Sequence, residues 1–595
     1  MSHHDRAGFL SQLLATVLGV VLTLGLIVGA VLVKAGGGGQ GKIRGHSWLV
    51  VDLYGALPEY DAPGDGLAGA VLGGDGATLQ RVLTDLEKAR VDKRIDGVIL
   101  KLSSNCGAGA AKLQEIREQV LALRAAGKRV YGWADTLDRP VYALAAACDS
   151  LFMPPTGYLQ FAGFAAVSQH LRGALDKLGV RDNLHKIKDY KSAAEMIQRT
   201  DASPEARENR RWMLRERSEL FAASLAADRK IEPATIAGWM ERALFRPADA
   251  VSAGMIDGVC YWDGLEARLK RPKDARLRVV TQDRYAKVKP RKLGLKGKQT
   301  IAVIHAHGMI GGRESRVDPL LGPMIGHETV CRELRRARAD KQVAAIVFRV
   351  DSPGGESLAS DLISHEVEIT AKVKPVVVSM VDVAASGGYD VAYRASKIVA
   401  DAATTTGSIG SISGKFNVKG LLDKLGVTES ADTLGANALM ESSTRDYTPR
   451  EWQLFTDDHW AGFNAWLAEV ARHRGLSFAD AEKLAHGRVW SGRQAQANGL
   501  IDEVGGLARA IAVARELAAI PTDRKVTVAH FPVKRELLES LLGGDQDEEG
   551  RGDGKTAFAP AVGLTAYSLL HGELQETWRF LTVTPLRLAE NRELD

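Results

Sequence analysis

The sequence predicts an α/β protein made of two tandem copies of one unit, preceded by one N-terminal transmembrane helix. Three observations lead to this prediction: a hexapeptide that occurs twice, short apolar strands that alternate with amphipathic segments, and a long uncharged stretch near the N-terminus. At 595 residues the chain is too long for a single hydrophobic core, so more than one domain is expected. The net charge of +5 is small for this length and gives no reason to expect a nucleic-acid partner.

The stretch between Phe9 and Val33 contains no charged residue and consists mainly of Leu, Val, Ile, Ala and Gly. About 20 apolar residues are needed to cross the hydrocarbon core of a membrane as a helix, whereas the apolar part of a cleaved signal peptide usually has ~7–15. Residues 9–33 are therefore predicted to be an uncleaved membrane anchor, and a cleaved signal peptide is the alternative. With the glycine-rich linker that follows, this anchor makes up residues 1–45.

The repeated hexapeptide is Leu175–Val180, which returns unchanged as Leu422–Val427, an offset of 247 residues. Chance recurrence of six residues is very improbable, and other segments match at nearly the same offset. The matched segments are Val98–Leu102 with Ile346–Val350, Lys128–Tyr131 with Lys374–Val377, and Gly254–Asp257 with Gly499–Asp502. We therefore divide the chain into a first repeat at residues 46–297, a second repeat at 298–520 and a C-terminal extension at 521–595.

Within each repeat, short strands rich in Val and Ile alternate with amphipathic segments such as Ala77–Ala89 and His327–Arg338. Continuous apolar strands between helices indicate a sheet that is covered on both faces, and hence an α/β fold. After Pro521 this pattern weakens, and Gly543–Gly550 is predicted to be a flexible acidic loop. The four cysteines show no paired spacing and are interpreted as small core residues, so neither a disulfide nor a metal site is expected.

A glycine-flanked serine, Ser408, is the first candidate for chemistry. Gly407 and Gly410 beside it permit a sharp turn that would expose the serine hydroxyl, although taken alone this is more simply a Ser/Gly turn. The second repeat also contains Asp351-Ser-Pro-Gly-Gly355 directly after a strand, where the glycines free backbone N–H groups of the kind that hold an oxyanion.

The first repeat lacks the serines at the matching positions. At the offset of 247 residues, Phe161 stands opposite Ser408 and Arg139 stands opposite Ser386. The first repeat therefore cannot supply the nucleophile.

A serine hydroxyl requires a base within hydrogen-bonding reach. The histidine candidates His185, His305 and His307 are more simply interpreted as surface or strand-end residues. A lysine is the alternative base, as in Ser–Lys dyads, but the second repeat has no lysine between Leu425 and Glu482.

The first repeat does offer a lysine in a suitable setting. Lys191 follows Tyr190 and precedes small residues, where partial desolvation would leave the amine neutral near neutral pH, whereas Lys186 and Lys188 fit solvated side chains. We therefore expect the nucleophile from one repeat and the base from the other, in the groove between them.

Several motifs in this order resemble the signal peptide peptidase A family, also called protease IV, in its long duplicated bacterial type. The matching motifs are Asp351–Gly355, Ala384–Tyr389, Thr406–Gly410 and Tyr190–Ser192. The resemblance implies two domains similar in fold to the Clp protease and crotonase superfamily, with Ser408 as nucleophile and Lys191 as general base. It also implies an oxyanion hole formed by the backbone N–H groups of Gly355 and Ile409, with no cofactor.

The resemblance further implies a substrate, an assembly and a location. Substrates would be cleaved signal peptides and other extended apolar peptides, and the protein would be a homotetramer in the bacterial inner membrane with a single pass and its catalytic body in the periplasm. The charge bias alone favours the opposite orientation, since Arg6 precedes the span whereas Lys34, Lys42 and Arg44 follow it. A long domain can translocate despite such a bias, so we expect a periplasmic body.

Three alternatives remain open from the sequence. By analogy with the Clp proteases, Ser386 in Ala384-Ala-Ser386 would be the nucleophile instead of Ser408. A crotonase-type acyl-CoA enzyme would use the same Pro-Gly-Gly turn for a thioester oxyanion. A non-catalytic, membrane-tethered scaffold would need neither the serine nor the lysine.

Overall fold

A computed structural model describes residues 43–60, 78–318 and 321–532. The predicted membrane anchor at residues 9–33, the glycine-rich linker and the acidic loop at Gly543–Gly550 lie outside the described residues. Within the described ranges, no helix combines the length and the apolar character needed to cross a membrane.

The first repeat is built on a parallel sheet. Its strands are β1 (Ser47–Ala56), β2 (Ile95–Gly107), β3 (Arg129–Ala134), β4 (Thr136–Asp138), β5 (Ser150–Met153), β6 (Tyr158–Gln160), β7 (Arg181–Lys186), β8 (Leu244–Phe245), β9 (Gly258–Val259) and β10 (Val279–Thr281). Six of them form the main sheet in the order β10-β1-β2-β3-β5-β9, with every neighbouring pair parallel. A small sheet, β4-β6-β8, lies beyond the ends of these strands.

The second repeat has the same arrangement. Its strands are β11 (Gln299–His307), β12 (Met309–Ile310), β13 (Arg316–Asp318), β14 (Gly322–Ile325), β15 (Val343–Ser352), β16 (Val376–Ala385), β17 (Lys397–Ala400), β18 (Thr405–Gly407), β19 (Ile412–Asn417), β20 (Val489–Ser491), β21 (Glu503–Val504) and β22 (Val526–Phe531). Parallel pairing runs through β22-β11-β15-β16-β17-β21, which repeats the order of the first sheet. The C-terminal end of β16 also pairs in parallel with β18, and β18 pairs antiparallel with β20.

Helices cover the sheets. Those of the first repeat are α1 (Leu79–Val91), α2 (Ala110–Ala125), α3 (Arg139–Ala145), α4 (Arg172–Leu178), α5 (Glu195–Gln198), α6 (Pro204–Arg229), α7 (Pro233–Arg242), α8 (Pro247–Ser252), α9 (Trp262–Leu269) and α10 (Gln282–Ala286), with short 3-10 helices at Ser192–Ala194 and Pro290–Leu293. Those of the second repeat are α11 (His327–Ala339), α12 (Ser357–Ala371), α13 (Gly387–Asp390), α14 (Lys419–Lys424), α15 (Pro449–Arg474), α16 (Phe478–Leu484), α17 (Gly492–Ala497) and α18 (Leu507–Leu517).

The predicted α/β fold is confirmed, and both amphipathic segments singled out in the sequence form helices, α1 and α11. The two longest of the described helices, α6 and α15, begin in the same way, with a proline at the first position after a capping hydroxyl from Ser203 or Thr448. All four cysteines are free, and Cys148 and Cys331 are buried as predicted, whereas Cys106 and Cys260 are only partly buried.

The second sheet continues past the predicted end of the second repeat at residue 520. Its edge strand β22 pairs in parallel with β11 from Gln299 to Ile304. Strand β22 begins 247 residues after β10, the edge strand of the first sheet, so it belongs to the duplicated unit. The predicted boundary at residue 520 is therefore too early. It was placed there because the alternation of strands and amphipathic segments weakens after Pro521, and the short strand β22 was not recognised.

The two repeats are joined by a buried ion-pair cluster. Arg349 of β15 is 1% exposed, and its guanidinium donates to Glu59 at 2.6 Å and to both carboxylate oxygens of Glu115 at 2.7 and 2.8 Å. Glu115 also accepts the backbone N–H of Leu507 at 2.8 Å. Since both carboxylates come from the first repeat and the arginine from the second, the cluster fixes the two sheets relative to each other.

Replacing Arg349 with methionine is expected to lower the free energy of unfolding by about 3–5 kcal/mol, because two buried carboxylates lose their cation. Urea denaturation measures the change. The control is Lys419→Met, which breaks an exposed pair with Asp423 four residues along a helix and should change stability by less than about 0.5 kcal/mol. Equal losses in the two variants would contradict this account of the interface.

Candidate active site

Ser408 lies directly after β18, on a turn that an L-residue rarely adopts. Its φ is +52°, and its backbone N–H donates to the carbonyl of Arg488 at 2.8 Å. Strand β18 is held on both sides, by β16 and by β20. The paired strand and the hydrogen bond to Arg488 together hold Ser408 in this strained conformation.

Lys191 reaches Ser408 because the two repeats share a small antiparallel sheet. Strand β7 of the first repeat pairs with β19 of the second, from Arg181 opposite Asn417 to Lys186 opposite Ile412. In an antiparallel pair the end of one strand lies beside the start of the other. Lys191 follows the end of β7 and Ser408 precedes the start of β19, so both residues come to the same end of the ladder.

The amine of Lys191 has three oxygen neighbours. Its Nζ lies 3.0 Å from Ser408 Oγ, 2.8 Å from the Ser408 carbonyl oxygen and 3.0 Å from Ser386 Oγ. The side chain is 5% exposed, and burial lowers the pKa of Lys191 to about 7. A substantial fraction of the amine is therefore neutral at physiological pH and able to accept a proton.

Both candidate serines contact Lys191, so distance does not separate the two nucleophile assignments. Ser386 also has a positive φ, +57°, and its backbone N–H donates to the carbonyl of Gly407 at 2.9 Å. The sequence treated Ser386 only as a rival to Ser408. The structure gives it a second possible role, as a hydroxyl that orients the amine.

The two predicted oxyanion donors lie on turns beside these groups. Gly355 has a φ of +154°, and a Cβ there would approach the carbonyl oxygen of Ile310 to 1.9 Å, so only glycine fits. Ile409 follows Ser408, is fully buried, and its carbonyl accepts the N–H of Gly487 at 2.8 Å. Within the described part of the chain, the N–H groups of Gly355 and Ile409 donate no hydrogen bond, which leaves both available to a substrate.

The histidines considered as bases have other neighbours. His185 contacts His459 at 2.8 Å, and His305 contacts His530 at 2.9 Å. His307 lies 3.3 Å from the carboxylate of Asp351. In the described residues none of the three candidates bonds to Ser408, which leaves lysine as the base with suitable geometry.

The other two lysines near β7 pair with carboxylates. Lys186 lies 3.3 Å from Glu195, and Lys188 lies 3.2 Å from Glu482. Lys191 differs from both, because its amine is buried beside hydroxyl and carbonyl oxygens and burial lowers its pKa.

Asp351, the first residue of the Asp-Ser-Pro-Gly-Gly motif, forms a buried ion pair that the sequence did not predict. Lys112 of the first repeat lies 3.1 Å from Asp351, at the start of the motif. Although burial opposes it, the neighbouring His307 and Lys112 hold the pKa of Asp351 well below its usual range. Burial, with the charge of Asp351, raises the pKa of the nearby Asp382 to about 6. The first repeat thus contacts the start of the Pro-Gly-Gly motif and also carries Lys191.

Gly487 packs against the candidate base Lys191, a contact that the sequence did not predict. It has a φ of +78°, and a Cβ there would lie 2.4 Å from both the Cα and the backbone N of Lys191. Its N–H also bonds to Ile409, so it contacts the segments that carry both members of the pair. In the sequence, Gly487 is a single glycine in Ala485-His-Gly487, and no sequence pattern connects it to Lys191.

The chain is similar to known peptidases. Residues 122–276 and 368–521 match Peptidase family S49. The chain is 35% identical over 481 residues to the chloroplastic serine protease SPPA of Arabidopsis thaliana, covering 79% of this chain and 70% of the relative. It is 30% identical over 520 residues to Protease 4 of Salmonella typhi, covering 82% of this chain and 81% of the relative.

A solved structure is also similar at lower identity. The 1510-N membrane protease specific for a stomatin homolog from Pyrococcus horikoshii is 15% identical with a TM-score of 0.25, covering 41% of this chain and 97% of that chain.

A duplicated α/β fold with a serine and a buried lysine in contact between its repeats, together with these relatives, defines a serine peptidase. The chain belongs to peptidase family S49.

Replacing Gly487 with alanine is expected to lower kcat/KM for peptide hydrolysis by about 100-fold or more, because the added methyl group must displace Lys191. Steady-state kinetics on an unstructured peptide substrate measure the loss. Gly475→Ala is the matched control: Gly475 has a φ of +65°, but a Cβ there meets no atom within 4 Å. That control should cost about 1 kcal/mol of stability and leave kcat/KM unchanged. Equal kinetics in the two variants would remove Gly487 from the site.

Proposed function

We propose that this serine peptidase is a membrane-anchored endopeptidase that degrades cleaved signal peptides through a Ser408–Lys191 dyad. The observation that carries the proposal is the 3.0 Å contact between the buried amine of Lys191 and the hydroxyl of Ser408. Each domain is proposed to have the fold of the Clp protease and crotonase superfamily. The relatives named as serine protease and Protease 4 support the reaction class.

The proposed reaction passes through an acyl-enzyme. Neutral Lys191 accepts the proton of Ser408 as the hydroxyl oxygen attacks the scissile carbonyl carbon. The N–H groups of Gly355 and Ile409 hold the oxyanion, each contributing about 3–4 kcal/mol to the stability of the transition state. The protonated lysine then gives its proton to the leaving amine, and water activated by Lys191 hydrolyses the ester.

Ser386 has a positioning role in this scheme. Its hydroxyl accepts from the amine of Lys191 at 3.0 Å, and this contact limits the directions in which the lysine can point. The carbonyl of Ser408 at 2.8 Å provides the other fixed acceptor. Two fixed acceptors leave the lone pair of the neutral amine directed at the Ser408 hydroxyl.

The substrate and the location of the enzyme are part of the same proposal. Residues 9–33 would anchor the chain in the bacterial inner membrane as a single pass with the body in the periplasm, where signal peptides and other extended apolar peptides leave the bilayer. The body would assemble as a homotetramer. Protease accessibility in spheroplasts and sedimentation in detergent test the orientation and the assembly. The crotonase-type and scaffold alternatives are not supported by the family assignment.

Replacing Ser408 with alanine is expected to lower kcat/KM by at least about 1,000-fold and to abolish labelling by a fluorophosphonate, because the nucleophile is removed. Ser386→Ala should cost about tenfold and keep the label, since it removes one acceptor from Lys191. Ser411→Ala is the control, because the hydroxyl of Ser411 contacts His459 and not the lysine. Loss of the label in Ser386→Ala but not in Ser408→Ala would reverse the assignment.

The rate of hydrolysis is expected to rise with pH through an apparent pKa of about 7, the value to which burial lowers Lys191. The base must be neutral, so below this pKa the rate should fall about tenfold per pH unit. The measurement is kcat/KM between about pH 5 and 9. Lys191→Arg should remove the activity, because a guanidinium stays protonated. A flat profile across this range would exclude Lys191 as the base.

A further inference from the structure

The chain at the end of the first repeat is strongly basic. Residues 268–298, which we call the basic segment, contain seven lysines, six arginines and two aspartates, a net charge of +11. The whole chain carries a net charge of only +5, so the rest of the protein is net negative. The positive charge of the protein is therefore concentrated in this segment.

Many of these cations are exposed and unpaired. Within residues 287–298 the lysines and arginines are all exposed, namely Lys287, Lys289, Arg291, Lys292, Lys296 and Lys298. Among the described residues, none of these six side chains forms an ion pair or a hydrogen bond. Like charges held close together on one segment repel one another and favour an anionic partner.

The carboxylates in and beside the basic segment do not neutralise it. Four of them already contact other side chains: Asp92 with Arg94, Asp96 with His46, Asp274 with Arg271, and Asp283 with Arg81. The other carboxylates on α1, on α9 and in the turn before β22 are Glu87, Asp263, Glu266 and Asp523. These four are fewer than the six unpaired cations, so an excess of positive charge remains.

The basic segment contacts the chain where it enters the first repeat. The backbone N–H of Trp48 donates to the carbonyl of Arg278 at 2.7 Å, and the Arg278 guanidinium donates to the carbonyl of Gly45 at 3.0 Å. The predicted anchor ends at Val33, ten residues before Ile43, the first described residue. Ten residues span at most about 35 Å when fully extended. An anchor at residues 9–33 would therefore bring the basic segment close to the membrane surface.

The basic segment also borders the N-terminal edge of the second sheet. It leads directly into β11, and Gly297 lies so close to the carbonyl of Lys525, before β22, that a Cβ there would approach the oxygen to 1.7 Å. Gly355 and Ser408 follow the C-terminal ends of β15 and β18. Because these strands run parallel, the basic segment and the serine site lie at opposite edges of the sheet.

A lipid surface suits these features better than a nucleic acid does. Lysine and arginine side chains are attracted to anionic headgroups within about a Debye length of a membrane. Proteins that hold single-stranded nucleic acid combine such charges with aromatic side chains on which the bases stack. The aromatic residue of the basic segment is Tyr285, which is fully buried and offers no such surface.

We propose that the basic segment binds anionic phospholipid headgroups and holds this edge of the protein against the membrane surface. The inference rests on the proposed function, because the anchor of that proposal brings the segment to the bilayer. A single apolar helix limits the distance of the body from the membrane but not its tilt. The second, electrostatic contact fixes the orientation of the serine site relative to the bilayer.

The test measures protection of lysines by lipid, on the full chain in nanodiscs of POPC alone or of POPC with about 30% POPG. Acetylation by sulfo-N-hydroxysuccinimide acetate is followed at each lysine by mass spectrometry. Lys289, Lys292 and Lys296 should react at least about threefold more slowly in the anionic nanodiscs, because the headgroups cover them. The exposed Lys419 and Lys483 of the second repeat should react equally in both. Sodium chloride at about 0.5 M should remove the protection, since it screens the charges.

A charge-reversal variant with a matched control separates the charge of the segment from the charge of the whole chain. In Lys289→Glu/Lys292→Glu, the protection of Lys296 should be largely lost, because the anionic headgroups are repelled. Lys419→Glu/Lys483→Glu changes the net charge equally and should keep the protection. Near-UV circular dichroism in detergent checks that both variants fold, and the comparison of nanodiscs on the unsubstituted chain tests the inference without either variant.

The outcomes separate this inference from the proposed function. Equal reaction of the three lysines in the two kinds of nanodisc, or equal loss of protection in the two variants, would overturn the inference. Protection by a single-stranded RNA oligonucleotide, with none by POPG, would assign the surface to nucleic acid and would overturn it as well. If alkaline carbonate extracts the chain from membranes, or the chain hydrolyses no peptide, while POPG vesicles still protect the three lysines, the proposed function fails and the lipid surface stands.

Discussion

Lys191 meets Ser408 because strand β7 of one repeat pairs antiparallel with strand β19 of the other. This short ladder joins residues more than 200 positions apart, and its register decides which side chain arrives beside the serine. A shift of one residue would turn every side chain of β7 to the opposite face. The buried cluster around Arg349 restrains the sheets on which both strands depend, so the chemistry relies on the interface as much as on the site.

Burial, and not a neighbouring charge, lowers the pKa of Lys191. A buried ammonium without a carboxylate partner is costly, so burial favours the neutral amine, which is the form a general base requires. The close approach of Gly487 completes this enclosure, because a larger residue there would force the lysine away from its acceptors. The packing that removes water from the Lys191 amine therefore also holds it beside the Ser408 hydroxyl.

Much of the fold could be predicted because the sequences of the two repeats can be compared with each other. The repeated hexapeptide defined the unit, and the absence of both serines from the first copy indicated which copy would supply the nucleophile. The contact between Ser386 and Lys191, the approach of Gly487 and the pairing of Asp351 with Lys112 were not predictable, since each joins segments remote in sequence with no shared local pattern. Strand β22 was missed because a short edge strand after a loop carries too few residues to show a period.

The packing of Phe161 limits which substitutions the first repeat can accept at this position. Its ring fills the core of the first repeat at the position that matches Ser408 of the second repeat. A reversion to serine would leave a void where the ring now packs, at a cost of about 3–5 kcal/mol for a comparable loss of a buried ring, and would bury a hydroxyl as well. A single substitution of Phe161 by serine would therefore disturb the core of the first repeat. With Ser408 as the proposed nucleophile, the packing of this one ring keeps the two halves of the chain chemically unequal.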